Sequence, residues 1–149
     1  MIFRSLDILF SFCGLVILSP FFCIIFLLGI FDTGSPLFIQ KRVGIEKKPF
    51  NLIKFRTMSI ETESVASHLA SSANITKLGR VLRKTKLDEL PQLINVLLGS
   101  MSFVGPRPNL YNQLDLINHR SIKGVYKVRP GITGLAQINN IDMSTPELL

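Results

Sequence analysis

Acidic side chains are scarce in this 149-residue sequence: ten Asp and Glu face 17 Lys and Arg, for a formal net charge of +7. Tryptophan is absent, and cysteine occurs only twice, at Cys13 and Cys23. Neither cysteine has a C-x-x-C partner or a Cys/His neighbour, which excludes a disulfide framework and a zinc knot and demands no oxidising compartment. Both are expected to be buried or lipid-facing filler. Charge is missing altogether from Ile8 to Phe31, a run of 24 residues. That run lifts the mean hydropathy to +0.37, high for a water-soluble domain. With 47% hydrophobic residues the chain is not a long disordered protein, and its length suits one domain. Arg4 and Asp7 cancel, so residues 32–149 carry the whole +7. A greasy start joined to a basic body calls for anionic partners: phosphates, nucleic acid or an acidic lipid surface.

The apolar run does not read as a cleavable signal peptide. Only Arg4 precedes it, it exceeds the usual apolar core length, and no A-x-A-like site follows before Asp32. It is expected to be retained. At about 1.5 Å per residue a straight helix of this length reaches roughly 36 Å, enough for one membrane crossing. Against that stands Ser19-Pro20 near its middle. Proline donates no hydrogen bond and its ring collides with the carbonyl one turn back, at Val16, where the Ser19 hydroxyl is the nearest substitute donor. Two half-helices, each too short to span, could enter and leave by one face. Loop charge does not separate the two arrangements, and from the residues alone they weigh evenly.

Beyond Gly34-Ser35-Pro36, residues Pro36 to Val43 alternate as a short strand with Phe38, Gln40 and Arg42 on one face. Gly44 to Pro49 reads as a turn. Phe50 to Met58 alternates again and points Leu52, Lys54 and Arg56 one way and Ile53, Phe55 and Thr57 the other. Ser59 to Thr76, rich in Ser, Ala, Thr and Glu, reads as a surface loop or a loosely packed helix. Lys77 to Lys86 holds five basic residues and no acid, with Leu78, Val81 and Leu82 at helical spacing: a basic amphipathic helix. Leu87, Leu90, Leu93, Ile94, Leu97 and Leu98 stripe a second helix that closes at Gly99, with Pro91 in its first turn.

This places Asp88 and Glu89 at a helix start, where backbone N–H groups and the dipole favour anions. An ordinary N-cap and first-turn acid would satisfy that position. Three surroundings argue for more: the basic stretch before them, the rigid turn Gly105-Pro106-Arg107-Pro108, and Val128-Arg129-Pro130-Gly131-Ile132-Thr133-Gly134, which holds another Arg against Pro and Gly. Fixed arginines beside paired carboxylates suit phosphate chemistry. Asp88 and Glu89 could hold magnesium, which takes one or two carboxylates plus phosphate oxygens, or one of them could be a nucleophile toward phosphorus. Lys54, Arg83, Arg107 and Arg129 would then neutralise the phosphates if they converge.

Six words in order, over roughly residues 3–139, carry a resemblance: the apolar start broken at Ser19-Pro20, G-S-P-L-F-I-Q-K-R-V-G at 34–44, K-F-R-T-M at 54–58, L-D-E-L-P-Q-L-I-N-V at 87–96, M-S-F-V-G-P-R-P at 101–108, and V-R-P-G-I-T-G-L-A-Q-I at 128–138. The chain resembles the bacterial sugar transferase family, the monotopic phosphoglycosyl transferases that start surface glycans on a polyprenyl phosphate carrier. The resemblance implies an α+β chain in which residues 1–33 form a re-entrant membrane helix-break-helix hinged at Ser19 and Pro20. Residues 34–149 would form a small, mainly helical catalytic domain with a short β-hairpin, on the cytoplasmic face of the bacterial inner membrane. It further implies that a UDP-sugar gives its phosphosugar to polyprenyl (undecaprenyl) phosphate with release of UMP and a requirement for magnesium. Asp88 would be the nucleophile that carries the phosphosugar, and Glu89 its partner in metal binding or the second attack. Lys54, Arg83, Arg107 and Arg129 would be phosphate or nucleotide ligands.

Family members continue past the T-G-x-A-Q word into further helices, so a chain ending at Leu149 is expected to be a fragment or a minimal version. Asn139-Asn140-Ile141-Asp142 replaces the commoner Gly-Arg-Asn ending. A competing class is a non-catalytic, membrane-tethered basic module that binds acidic lipid or nucleic acid through Lys77 to Lys86. Nucleic acid is disfavoured because basic and aromatic residues do not interleave. A third reading, sugar transfer without the phosphate, differs by releasing UDP.

Overall fold

The computed structural model describes residues 2–60 and 74–138. The charge-free run sits within one helix, α1 (Ile2–Thr33), with Pro20 inside it. The break expected at Ser19-Pro20 therefore does not interrupt the helix. The reason lies next door: the Ser19 hydroxyl donates to the Val16 carbonyl at 2.8 Å, the acceptor that proline leaves unserved.

Strands β1 (Leu37–Val43) and β2 (Pro49–Phe55) pair antiparallel, with Gln40 opposite Leu52 and Phe38 opposite Lys54. A single 3-10 turn over Ile45–Lys47 joins them. The second strand is shorter than its alternation suggested, ending at Phe55 rather than Met58. Arg56 consequently parts from Lys54: its guanidinium turns back to donate to the Ser35 carbonyl at 2.9 Å. Met58 bridges Ile75 and the Ser59 N–H donates to the Asn74 carbonyl, so the flanks of the 59–76 stretch meet. Its middle, like Asn139 to Asp142, lies outside the described residues.

Helix α2 (Lys77–Thr85) starts at Thr76, whose hydroxyl accepts from the Gly79 N–H at 2.8 Å, and ends at Lys86 in the left-handed region. Its expected apolar stripe is narrower than drawn, because Leu82 is buried but Val81 is exposed. Only glycine fits at position 79, where a Cβ would stand 2.1 Å from the Thr57 carbonyl oxygen. The second helix is also shorter than expected. A separate 3-10 turn over Leu87–Glu89 precedes α3 (Gln92–Leu98), with Pro91, which has no N–H to give, as the N-cap. Gly99, at φ 89°, closes α3 as the pattern required, though Leu98 faces outward at 75% exposure. The remaining elements are β3 (Ser102–Val104), α4 (Leu114–Ile122), a 3-10 turn over Val125–Lys127, β4 (Gly131–Thr133) and α5 (Leu135–Ile138), and β3 pairs parallel with β4.

Two apolar clusters hold these parts together. Ile25 of α1 packs with Phe55 and Leu82, flanked by Phe22, Leu37, Leu78, Leu87 and Leu90. Leu52, Val96 and Met101 form the other, flanked by Phe50, Phe103 and Ile132. Asn95 is buried between β2 and α3; its amide donates to the Asn51 carbonyl at 2.8 Å while its oxygen accepts from the Ile53 N–H at 3.1 Å. Contact between α1 and the body extends along the helix. Arg4 donates to the Val96 and Leu97 carbonyls at 2.6 and 2.9 Å, where the negative end of α3 suits a cation. Asp7 accepts from the Ser102 hydroxyl at 2.8 Å and the Phe103 N–H at 3.2 Å. Further along, Phe22 stacks 5.6 Å from Phe55, and Gly29 meets Pro36. The opposite face, with Phe10, Phe12, Ile17, Phe21, Ile24 and Leu27, is exposed. So broad an apolar surface suits lipid rather than water.

Candidate active site

The left-handed Lys86 turns the chain sharply between α2 and the 87–89 turn. Leu87 and Leu90 pack against the Ile25–Phe55–Leu82 cluster, and Asp88 between them is 9% exposed. Among the described residues Asp88 Oδ1 has no hydrogen-bond donor. A buried carboxylate without partners is costly to ionise. Burial accordingly pushes the Asp88 carboxyl above its ordinary 3.8; Lys54 opposes this, Glu89 adds to it, and Arg83 and Lys86 oppose it further.

Glu89 faces two cations from different parts of the chain. Its Oε1 lies 3.8 Å from Lys54 Nζ on β2 and 3.9 Å from an Arg107 nitrogen on the loop after β3. Both separations are at the long end for ion pairs. Burial draws Lys54 below its usual value, with Glu89 pulling it back and Arg107 and Arg42 pressing it down. Arg42 is lowered to about 10 by burial and by Arg107. A small open hollow is lined by Arg42, Lys54, Gln92, Arg107, Gly131 and Ile132, among others, with neither Asp88 nor Glu89 in its wall. Three cations thus converge on one hollow, two of them within ion-pair reach of Glu89, and Asp88 is next to Glu89 in the chain.

Arg107 arrives there because the two rigid turns lie against each other. The Ser102 N–H donates to Pro130, the Gly105 N–H to Thr133, and the Gly131 N–H to Pro106, all at 2.9–3.0 Å. Arg83 sits at the edge of the group, donating through Nε to the Thr57 hydroxyl at 2.9 Å. Arg129 is placed differently from the sequence expectation. Its Nε donates to the Gly99 carbonyl at 2.9 Å, so it serves the carbonyl end of α3 near Arg4, and no ion pair or hydrogen bond among the described residues links it to Asp88 or Glu89. Ser19 and Pro20 lie within α1. Arg42 and Gln92 were not singled out from the sequence. Arg42 shares the strand face of Gln40, a readable signal, but its use depends on a contact with Pro108 that spacing does not reveal.

Comparison with known proteins identifies the family. The family described as "Bacterial sugar transferase" matches residues 1–147. An "Uncharacterized sugar transferase EpsL" of Bacillus subtilis (strain 168) is 50% identical over 107 residues, covering 71% of this chain and 52% of that protein. A "UDP-glucose:undecaprenyl-phosphate glucose-1-phosphate transferase" of Escherichia coli (strain K12) is 42% identical over 148 residues, covering 91% of this chain and 30% of that protein. "Exopolysaccharide production protein PSS" of Rhizobium leguminosarum bv. phaseoli is 39% identical over 151 residues, covering 93% and 74%. The chain spans only about a third to a half of the first relatives it matches. The chain belongs to the bacterial sugar transferase family.

Proposed function

We propose that this chain transfers a sugar phosphate from a UDP-sugar to undecaprenyl or a similar polyprenyl phosphate, releasing UMP and starting a surface glycan. The observation that carries the proposal is Asp88: a buried carboxylate with an unpartnered oxygen, adjacent to Glu89, which lies within ion-pair reach of the Lys54 and Arg107 that line the cleft with Arg42. The name of the Escherichia coli relative supports the donor and acceptor classes.

The chemistry follows from charge. The donor diphosphate repels a carboxylate until cations neutralise it. Lys54 and Arg107, both near Glu89, take the phosphate oxygens, with Arg42 behind them and Arg83 at the edge. Arg129, drawn away to Gly99, is given no part in binding. An Asp88 oxygen attacks the sugar-bearing phosphorus, forming a P–O bond as the P–O bond to UMP breaks. An oxygen of the polyprenyl phosphate then attacks the same phosphorus, and the bond to Asp88 breaks to restore the carboxylate. Glu89 stands where it can assist this second attack. Magnesium fits the donor set: it needs only one or two carboxylates, and Asp88 Oδ1 with Glu89 would hold it. Among the described residues no three His, Cys, Asp or Glu gather into a fuller cage. When bound, the ion supplies positive charge to the diphosphate.

The topology belongs to the same reading. Both ends of α1 lie against the body, at Arg4 and Asp7 and again at Phe22 and Ile25, which supports a helix that lies along one face of the membrane rather than carrying its start across; that the face is the cytoplasmic one is part of the proposal. A basic tether without catalysis would need only the cations of α2 and leaves the buried Asp88 unexplained. The test is the nucleotide released when the chain, in detergent or vesicles with magnesium, meets polyprenyl phosphate and a panel of UDP-sugars. UMP together with a lipid-linked sugar phosphate is expected. Release of UDP would replace the proposal with plain sugar transfer, and no release from any donor would end it.

A further inference from the structure

The loop that presents Arg107 has no regular structure, and Pro106 and Pro108 leave it few donors of its own. Its carbonyls are nonetheless all served from outside. The Pro106 carbonyl accepts from the Gly131 N–H at 3.0 Å, and the Asn109 carbonyl from the Val43 N–H at 3.1 Å. The two between them are served by guanidinium groups: Arg120 donates to the Arg107 carbonyl at 2.7 Å, and Arg42 to the Pro108 carbonyl at 3.1 Å. Four consecutive carbonyls are thus held by four separate donors.

Arg120, in the last turn of α4, is the unusual member. It is only 7% exposed, and among the described residues it has no carboxylate within ion-pair distance. Besides the Arg107 carbonyl, its Nη1 approaches Asn109 Oδ1 at 3.4 Å, and that oxygen also accepts from the buried Tyr126 hydroxyl at 2.8 Å. A buried cation without a counter-ion opposes folding. A neutral donor could have held one carbonyl more cheaply, so the charge points to the side chain that the loop carries. Charged donors hold carbonyls more firmly than neutral ones, and a rigid loop loses less freedom when its arginine grips a ligand.

We infer that Arg120, braced by Asn109 and Tyr126, is a positioning residue that fixes the 106–109 backbone so that the Arg107 guanidinium meets a phosphate in the cleft. This rests on the reading above in which Arg107 binds donor phosphate. Arg120 touches neither substrate nor reacting atoms; it acts through Arg107.

A binding cycle with UDP as the probe tests it, on the full chain in detergent. Arg120→Met should weaken UDP binding about tenfold or more, the scale of a lost charged hydrogen bond. In an Arg107→Met background the same change should cost nothing further, because the side chain it positions is gone. Equal losses in both backgrounds would overturn the inference. Should Arg120→Met fail to fold, Tyr126→Phe removes only the brace and should show the same dependence on Arg107 with a smaller, several-fold loss. Hydrogen exchange adds a readout that requires no ligand: the amides of Val43 and Gly131, which donate to the Asn109 and Pro106 carbonyls, should exchange faster in either variant while those of α3 hold. Unchanged exchange there would also overturn it. A wild-type chain that does not bind UDP would sink the proposed function alone, and the exchange result would still decide the role of Arg120.

Discussion

Asp88→Asn abolishes measurable transfer, lowering turnover by roughly a thousandfold or more, the scale expected when a covalent nucleophile is removed. The amide is nearly the size of the carboxylate but cannot form the bond to phosphorus, so binding of UDP without magnesium should change little while UMP release stops. Intact-mass analysis of wild type given donor without acceptor should show an added phosphosugar, absent from the variant. An adduct that persists in Asp88→Asn would remove Asp88 from the role. The same substitution should raise stability. Because burial holds the folded carboxyl above its ordinary 3.8, the ionised form opposes folding at neutral pH, and the penalty fades as pH falls through the raised value toward 3.8. The variant should therefore melt higher than wild type at neutral pH, with the gap closing in acid. Wild-type turnover should fall over the same descent as the nucleophile takes up its proton.

Gly131→Ala carries a large expected cost to the fold. A Cβ there would stand 2.1 Å from the Gly105 nitrogen, and one at Gly105 would stand 2.4 Å from the Arg129 carbonyl oxygen. Both neighbours are backbone, so no side chain can swing aside. The β3–β4 pair must open, at roughly 2–4 kcal/mol on the scale of severe overpacking. Because the Gly131 N–H also donates to Pro106, the displacement reaches Arg107 and should weaken UDP binding too. Denaturant midpoints of variant and wild type in the same detergent check the prediction, and matching midpoints would contradict it.

Local patterning made the apolar run of α1, the β1–β2 hairpin, α2 and the closure of α3 at Gly99 readable, since each depends on neighbours within a few residues; that α1 runs unbroken through Pro20 was not. The motif words likewise singled out Asp88, Glu89, Lys54 and Arg107, which the fold gathers. The β3–β4 pair was not readable, because three-residue strands show no alternation and their pairing spans 29 positions, from Ser102 to Gly131. Cations were the harder problem. Arg42, Arg107, Arg120 and Arg129 look alike in sequence, yet Arg120 and Arg129 end on carbonyls and Arg107 on the cleft. Which carbonyls lack a donor is a property of the assembled backbone, and no window of sequence contains it.

The docking of Ile25 and Phe22 onto Phe55 and Leu82 bears on how a water-soluble form of this protein could be engineered. Deleting the first 33 residues would tear a wall from the interior and leave a sticky remnant. Recolouring the outward face instead, with polar substitutions at Phe10, Phe12, Ile17 and Phe21, keeps that wall and removes only the part that seeks oil.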